Sequence, residues 1–371
     1  MGRDAAGMIE SYLPDAIDLS QVERVLIIKL RHFGDVLLTS PVLSVVAKQI
    51  PGVEIDALVY AETGPMLANH PALSQLHGID RNWKKQGIKS QWLHEMQLLK
   101  NLRSRQYDLI IHLTEHARGA RLVRKLKPTY SVAQSYPEKR GRWWKNSFTH
   151  TYRIPAKPRH TVEVHLDALR RLGIYPGPED RRLVLTPGSD ANNSINELML
   201  QHQLLEDSYL VIHPTSRWMF KGWSRQGFAE VMQKLHAMGH KLVLTSSPDP
   251  AELEVIEQIN SDIAELPVVN LAGRLNLKEL AVLIDRASCF IGLDSVPMHI
   301  AAAMNTPCVA LFGPSDDQTW GPWQVRHTVL TSPFSCRPCG LDGCGNGKLS
   351  DCLMAINSND VVTAIENILG R

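Results

Sequence analysis

The residues whose types and spacing could do chemistry fall in a few short segments. The first runs Lys29-Leu30-Arg31-His32-Phe33-Gly34-Asp35. A carboxylate set among a lysine, an arginine and a histidine is held ionised at neutral pH, as a general base requires. Beside Gly34, which permits close backbone approach, Asp35 could take a proton from a substrate hydroxyl. It also suits the plainer job of capping the next helix. His32 reads as a turn residue, a substrate contact or a base in its own right. In the second segment, His213-Pro214-Thr215-Ser216-Arg217 runs on to Lys221-Gly222-Trp223. Its hydroxyls and cations suit a diphosphate, although a solvated basic loop anchoring Trp218, Phe220 and Trp223 fits as well.

The third segment is Gly292-Leu293-Asp294-Ser295-Val296-Pro297-Met298-His299. Ser295 reads as an N-cap and Pro297 as an early helical position, so the helix start offers unpaired N–H groups to an anion. Asp294 would orient the loop or hold a sugar hydroxyl, and His299 is either a buried histidine or a phosphate contact. Leu311-Phe312-Gly313-Pro314-Ser315-Asp316 reads as a ligand rim or a plain turn. Asp249, after Thr245-Ser246-Ser247-Pro248, could take a ribose diol.

Positioning these groups needs a scaffold. Alternating strand and helix patterns start at Val25–Lys29, with a helix over Pro41–Gln49 whose start, near Asp35 or near Ser40, depends on how Pro41 is accommodated. Strands follow at Glu54–Val59, Leu109–Leu113 and Thr129–Val132, and helices at Trp92–Leu102 and Val162–Leu172. The stretch from Tyr175 to Ser194 is rich in Pro, Gly, Asn and Asp around one short strand, Leu183–Leu185, and marks a boundary. The pattern then restarts with strands at Tyr209–Ile212, Lys241–Leu244, Val268–Leu271, Cys289–Gly292 and Cys308–Phe312. Helices are expected at Phe228–Ala237, Ala251–Ile259, Asn276–Ala287 (with a capping box from Asn276 and Glu279), Val296–Met304 and Asp360–Leu369. The reading is an α/β chain of two Rossmann-like domains facing a central cleft. It comprises an N-terminal extension (1–20), a first domain (21–185), a linker (186–200) and a second domain (201–371), whose last helix could pack back on the first.

Length and composition agree: 371 residues, 44% hydrophobic and 21% charged, suit about two globular domains. A net charge of +2, from 40 basic and 38 acidic residues, gives no support for nucleic-acid binding. Neither a signal-peptide core nor an apolar run of about 18 residues is present, so a cytoplasmic protein is expected. Without a Walker lysine, a GxGxxG, an HExxH or a GxSxG, ATP hydrolysis, zinc proteolysis and serine-hydrolase chemistry are disfavoured. A diphosphate-suited second half and an acid in the first suggest group transfer from a nucleotide donor.

At these residues the chain resembles the ADP-heptose:lipopolysaccharide heptosyltransferases, glycosyltransferases of the GT-B fold. The marks are KLRHFGDVLLTSPV, HPTSRWMFKGW, LAGRLNLKELAVLI, FIGLDSVPMHIAAA and LFGPSD, spanning nearly the whole chain from about Arg24. HFGDVLLTSPV with PTSRWMFKGW is most similar to the heptosyltransferase III branch. The resemblance implies inverting transfer of L-glycero-D-manno-heptose from ADP-heptose to the lipopolysaccharide inner core, onto the second heptose as a side branch. It implies Asp35 as base, Lys221 beside the donor phosphates, Thr215 and Ser216 as phosphate-contacting hydroxyls, and Asp294, Ser295 and His299 in the donor loop. Asp249 would be the adenosine-pocket acid. Ser295-Val296 departs from the Thr-Gly or Ser-Ala common there. No catalytic cofactor is implied.

The acceptor would be lipid A–core oligosaccharide at the cytoplasmic face of the inner membrane. Lys29, Arg31 and His32, and the cluster Lys139, Arg140, Arg142 and Lys145 with Trp143, Trp144 and Phe148, are candidates to meet it, or the cluster is an ordinary loop. Cys336-x2-Cys339-x4-Cys344-x7-Cys352 approaches a metal-ligand pattern. A structural zinc, four reduced thiols, or disulfides all satisfy it. A GT-B transferase using a UDP- or GDP-sugar and a non-catalytic nucleotide-sugar-binding protein are the rival readings.

Overall fold

A computed structural model describes residues 13–136, 140–154, 156–264 and 266–370. Packing divides the chain into two units. The first comprises residues up to Gly64, Pro71–Lys157 and Val162–Arg181; the second comprises Pro65–His70, Pro158–Thr161 and Arg182 onward.

The first unit holds six parallel strands: β1 (Arg24–Lys29), β2 (Glu54–Tyr60), β3 (Gln75–Ile79), β4 (Leu109–His112), β5 (Tyr130–Gln134) and β6 (His150–Tyr152), in the order β3-β2-β1-β4-β5-β6. β1 is central, and Val25 to Ile28 are buried, as a strand covered on both faces demands. Leu26, Ile28 and Leu30 join one core cluster with Leu58, Ile110 and Trp144. The second unit repeats the arrangement with β7 (Tyr209–His213), β8 (Lys241–Leu244), β9 (Val269–Asn270), β10 (Cys289–Leu293), β11 (Cys308–Leu311) and β12 (His327–Leu330), ordered β12-β11-β10-β7-β8-β9. Its core joins Leu210, Ile212, Ile291 and Val309 to the helices Arg225–Ala237 and Ser358–Leu369.

In both units the central strands, β1 with β4 and β7 with β10, are where the strand order reverses. Ligands bind such sheets beyond the carboxyl ends of those strands. The first, second and third segments picked out above follow β1, β7 and β10 respectively.

Two local expectations are corrected. Pro41 neither disturbs nor delays one helix, because the chain makes two: α1 (Phe33–Leu37) and α2 (Ser40–Gln49), with Pro41 in the first turn of α2. That position needs no N–H and tolerates the ring. Leu183–Leu185 is not a strand: the two leucines are buried, but no neighbouring strand pairs with them. The edge strands β3, β6 and β12 were not expected, because each is short and carries no recognisable apolar run.

Candidate active site

Asp35 lies in the first turn of α1, directly after β1. It is not the cap; His32 occupies that position and makes no capping bond with its side chain. The carboxylate is mostly covered, 14% exposed, with the Lys29 ammonium 3.5 Å and the Arg31 guanidinium 3.9 Å from Oδ1. Lys29 is buried at the end of β1 and donates to the Leu113 carbonyl at 3.1 Å. Its third contact is His165, on the helix Thr161–Arg171, at 2.8 Å from Nε2. The other ring nitrogen, Nδ1, lies 2.9 Å from the Leu38 carbonyl, which can only accept. Nδ1 therefore carries the proton and Nε2 offers its lone pair to the ammonium. Burial pulls Lys29 down to about 8; Asp35 opposes the fall and Arg31 adds to it.

His112, at the end of β4, is buried between Trp144 and Phe148 and pushed down to about 3 by burial. It is a core histidine, donating from Nε2 to the His116 carbonyl at 3.2 Å. Gly119 is required beside it: a Cβ there would sit 2.1 Å from the ring.

In the second unit, Lys221 follows β7 and ends a short 3-10 turn (Met219–Lys221). Its ammonium donates to Asp294 Oδ2 at 2.6 Å, so the second and third segments meet. Asp294 is nearly covered and Lys221 remains 21% exposed on its side chain. The pair thus presents a cation fixed from behind by a carboxylate, with N–H groups left for an anion. Ser295 is the N-cap of the helix Val296–Ala303 but lends no side-chain cap, its hydroxyl lying 3.4 Å from the Leu293 carbonyl. His299 is buried in the first turns of that helix. Lys221, Pro314, Ser315, Asp316, Trp320 and Cys339 are among the residues that line a cavity of about 410 Å³, which makes the end of the Leu311–Asp316 stretch its rim.

Thr215 and Ser216 are both buried. Thr215 donates its hydroxyl to Glu252 at 2.6 Å, and Ser216 accepts from the Trp218 N–H at 3.4 Å. Asp249, an exposed residue, caps the helix Pro250–Asp262 by accepting from the Ala251 N–H at 2.9 Å through Oδ1. His213 donates from Nδ1 to the Thr245 hydroxyl and is lowered to about 4 by burial.

The acceptor cluster divides. Trp144 and Phe148 are core residues, and Arg140 stacks on Trp144 while donating to the Glu115 carbonyl at 2.8 Å. Arg142, Lys145 and Trp143 are exposed. Lys139 lies outside the described residues.

The zinc expectation is overturned. Among the described residues no three His, Cys, Asp or Glu side chains converge to hold a metal, and Cys336, Cys339, Cys344 and Cys352 are free thiols. Cys352 is buried in the helix Asp351–Met354 under Gly313, whereas the other three are exposed. Arg337 shapes the loop instead, donating to the Gly313 carbonyl at 2.6 Å and pairing with Asp317 at 3.2 Å. Backbone bonds from Gly340 to Pro314 and from Cys344 to Leu349 complete it.

His165, Glu252 and Thr114, whose hydroxyl accepts from the Leu30 N–H at 2.9 Å, were not singled out from the sequence. Each acts through a contact distant in the chain, and only His165, on the buried face of an amphipathic helix, offered any signal.

Residues 96–350 match the profile of glycosyltransferase family 9 (heptosyltransferase). The chain is 37% identical over 343 residues to lipopolysaccharide heptosyltransferase 3 of Escherichia coli K12, covering 92% of this chain and 96% of the relative. A second E. coli lipopolysaccharide heptosyltransferase 3 is 38% identical over 294 residues, 79% of this chain and 84% of that one. Among solved structures, a family 9 glycosyl transferase from Veillonella parvula aligns with a TM-score of 0.81 at 24% identity, covering 96% of this chain and 99% of that chain. The E. coli ADP-heptose lps heptosyltransferase II aligns with a TM-score of 0.72 at 19% identity, covering 93% and 98%. These two likenesses establish the fold, a GT-B-like pair of Rossmann-like units.

Proposed function

Because the chain belongs to glycosyltransferase family 9, the heptosyltransferases, we propose that it moves L-glycero-D-manno-heptose from ADP-heptose to the lipopolysaccharide inner core, adding the side-branch heptose to the second core heptose. The observation that carries this reading is near-full-length identity to a lipopolysaccharide heptosyltransferase 3. The local geometry of each unit supports it.

Asp35 takes the proton from the acceptor hydroxyl. The freed oxygen attacks the anomeric carbon from the face opposite the nucleotide. The bond from that carbon to the β-phosphate oxygen breaks, and ADP leaves with inversion. Negative charge developing on ADP is met by the Lys221 ammonium, braced by Asp294, and by the N–H groups that open the helix Val296–Ala303. The backbone around Thr215 and Ser216 lies beside the diphosphate, Ser295 and His299 complete the donor loop, and the exposed Asp249 is left for the ribose. Lys29 and Arg31 hold the Asp35 carboxylate in place, while His32, Arg142 and Lys145 meet the phosphorylated acceptor, and Arg140 supports them from behind. The reaction is placed at the cytoplasmic face of the inner membrane; no helix among the described residues is long and apolar enough to cross it.

A donor panel with defined core acceptors, followed by linkage analysis of the product, tests this. Transfer only from ADP-heptose, to a hydroxyl of the second heptose, is expected. Preference for a UDP- or GDP-sugar, or donor binding without transfer to any core acceptor, would overturn it.

A further inference from the structure

The helix Ile88–Ser104 is anchored in the core by its C-terminal half, and its N-terminal half is held only at its flank, by His94 stacked on Trp83 and Glu95 paired with Arg118. Leu98, Leu99 and Leu102 are buried in the first unit. Its N-terminal half carries Ile88, Trp92, Leu93 and Met96, which are 89%, 59%, 53% and 41% exposed. Ile88, Trp92 and Met96 recur every four residues and so share one side of the helix, and Leu93 lies one turn before Met96. Ile88 is almost fully exposed and the other three about half, so a stripe of three large apolar side chains and a tryptophan stays open to an external occupant.

The charges around it say which. Lys84 and Lys85, in the 3-10 turn Arg81–Gln86, and Lys89, in the first helical turn, are all exposed. The first turn contains no acid, and the N-cap, Gly87, offers no side chain. Three cations therefore stand at the positive end of a helix, an arrangement that repels itself until an anion arrives. The nearest acid on the helix, Glu95, is already paired with Arg118. Apolar residues with a tryptophan on one side and lysines beside them are the pattern of a helix lying in the interface of an anionic bilayer.

We propose that the N-terminal half of the helix Ile88–Ser104, with Lys84, Lys85 and Lys89, docks the first unit on an anionic lipid surface. The inference deepens the proposed function, since a lipid-borne acceptor puts the work at a bilayer. Its test does not depend on transfer being observed.

The full-length protein is sedimented with phosphatidylcholine vesicles and with vesicles containing roughly a third phosphatidylglycerol, at low and high salt. Binding to the anionic vesicles alone, weakened by salt, is expected. Each lysine near an anionic surface strengthens binding about five-fold, so Lys84→Gln with Lys85→Gln and Lys89→Gln should weaken it on the order of a hundred-fold. Trp92→Ser with Leu93→Ser should abolish binding at every salt concentration. Because these side chains are exposed, both variants should keep the wild-type melting temperature and transfer to a delipidated core oligosaccharide. Equal binding of wild type to neutral and anionic vesicles, or undiminished binding by either variant, would overturn the proposal. So would a wild-type dimer in sedimentation equilibrium that Trp92→Ser dissolves, which would make the occupant a second copy. Vesicle binding without any transfer would leave the docking surface standing and count against the heptosyltransferase reading alone.

Discussion

Replacing His165 with leucine removes the acceptor that holds the Lys29 ammonium behind Asp35. The buried ammonium would keep only the Leu113 carbonyl and Asp35 as partners, with Arg31 and the neutral His112 as its other ionisable neighbours. A hydrogen bond to a buried charge is worth about 1.5 kcal/mol or more, equivalent to roughly one pH unit. Burial already lowers Lys29 to about 8, and losing the acceptor should lower it further, by roughly one pH unit. At pH 7.5 the charged fraction would fall from roughly three-quarters to roughly one-quarter. The sign follows from the partner lost: His165 stabilises the charged form, so its removal favours the neutral amine. A neutral Lys29 no longer fixes the carboxylate 3.5 Å away, and transfer should fail on the alkaline side. The assay is kcat against pH for wild type, His165→Leu and His165→Gln, with thermal midpoints as folding controls. The alkaline limb should move down by about one pH unit in the leucine variant. It should move less in the glutamine variant, whose carbonyl can still accept from Lys29. Superimposable profiles from the three folded proteins would refute the reasoning.

Lys221→Ala should lower kcat/KM on the order of a hundred-fold, by removing a cation from the leaving group. Asp294→Asn should cost about tenfold, by freeing the lysine it braces; steady-state kinetics with ADP-heptose read both, and wild-type values would dismiss the pair. Gly119→Ala forces a Cβ to within 2.1 Å of His112, and urea unfolding should show a loss of about 2 kcal/mol or more. His112 is held neutral in the fold, at about 3, against an ordinary value of 6.5. The unfolded chain thus binds the extra proton between those limits. The stability that depends on a neutral His112 is complete above pH 6.5 and falls by up to about 1.4 kcal/mol for each pH unit below it. Between pH 7 and 4.5 the melting temperature should therefore fall less in His112→Leu than in wild type.

The parts of the site written in contiguous residues were legible in the sequence. The turn after β1 had to combine a buried strand, a glycine and an acid, and Lys221 and Asp294 each followed an apolar run that could only be a central strand. What could not be read locally was set by packing. Lys29 looked like one of several surface cations, yet it is buried because β1 is central and His165 waits 136 residues away. Asp35 looked like a cap because the break at Leu38 and Thr39, which divides α1 from α2, has no signature beyond Pro41. Trp144 and Phe148 read as an interface pair, but they wall in His112. The cysteines had metal-like spacing, while burial of Cys352 and the grip of Arg337 on Gly313 decide where the loop goes. On the helix read at Trp92–Leu102, the exposed Leu93 and Met96 could not be told from the buried Leu98 and Leu99, because periodicity does not reveal where a supporting body ends.

The most direct measurement is the rate of heptose transfer from ADP-heptose to a defined inner-core acceptor by wild type and Asp35→Asn. The asparagine keeps the shape of the side chain and its place beside Lys29 and Arg31 but cannot accept the proton. Transfer by the wild type should be lost on the order of a thousand-fold in the variant, with ADP-heptose binding and the melting temperature preserved. Near-wild-type turnover by Asp35→Asn would contradict the account.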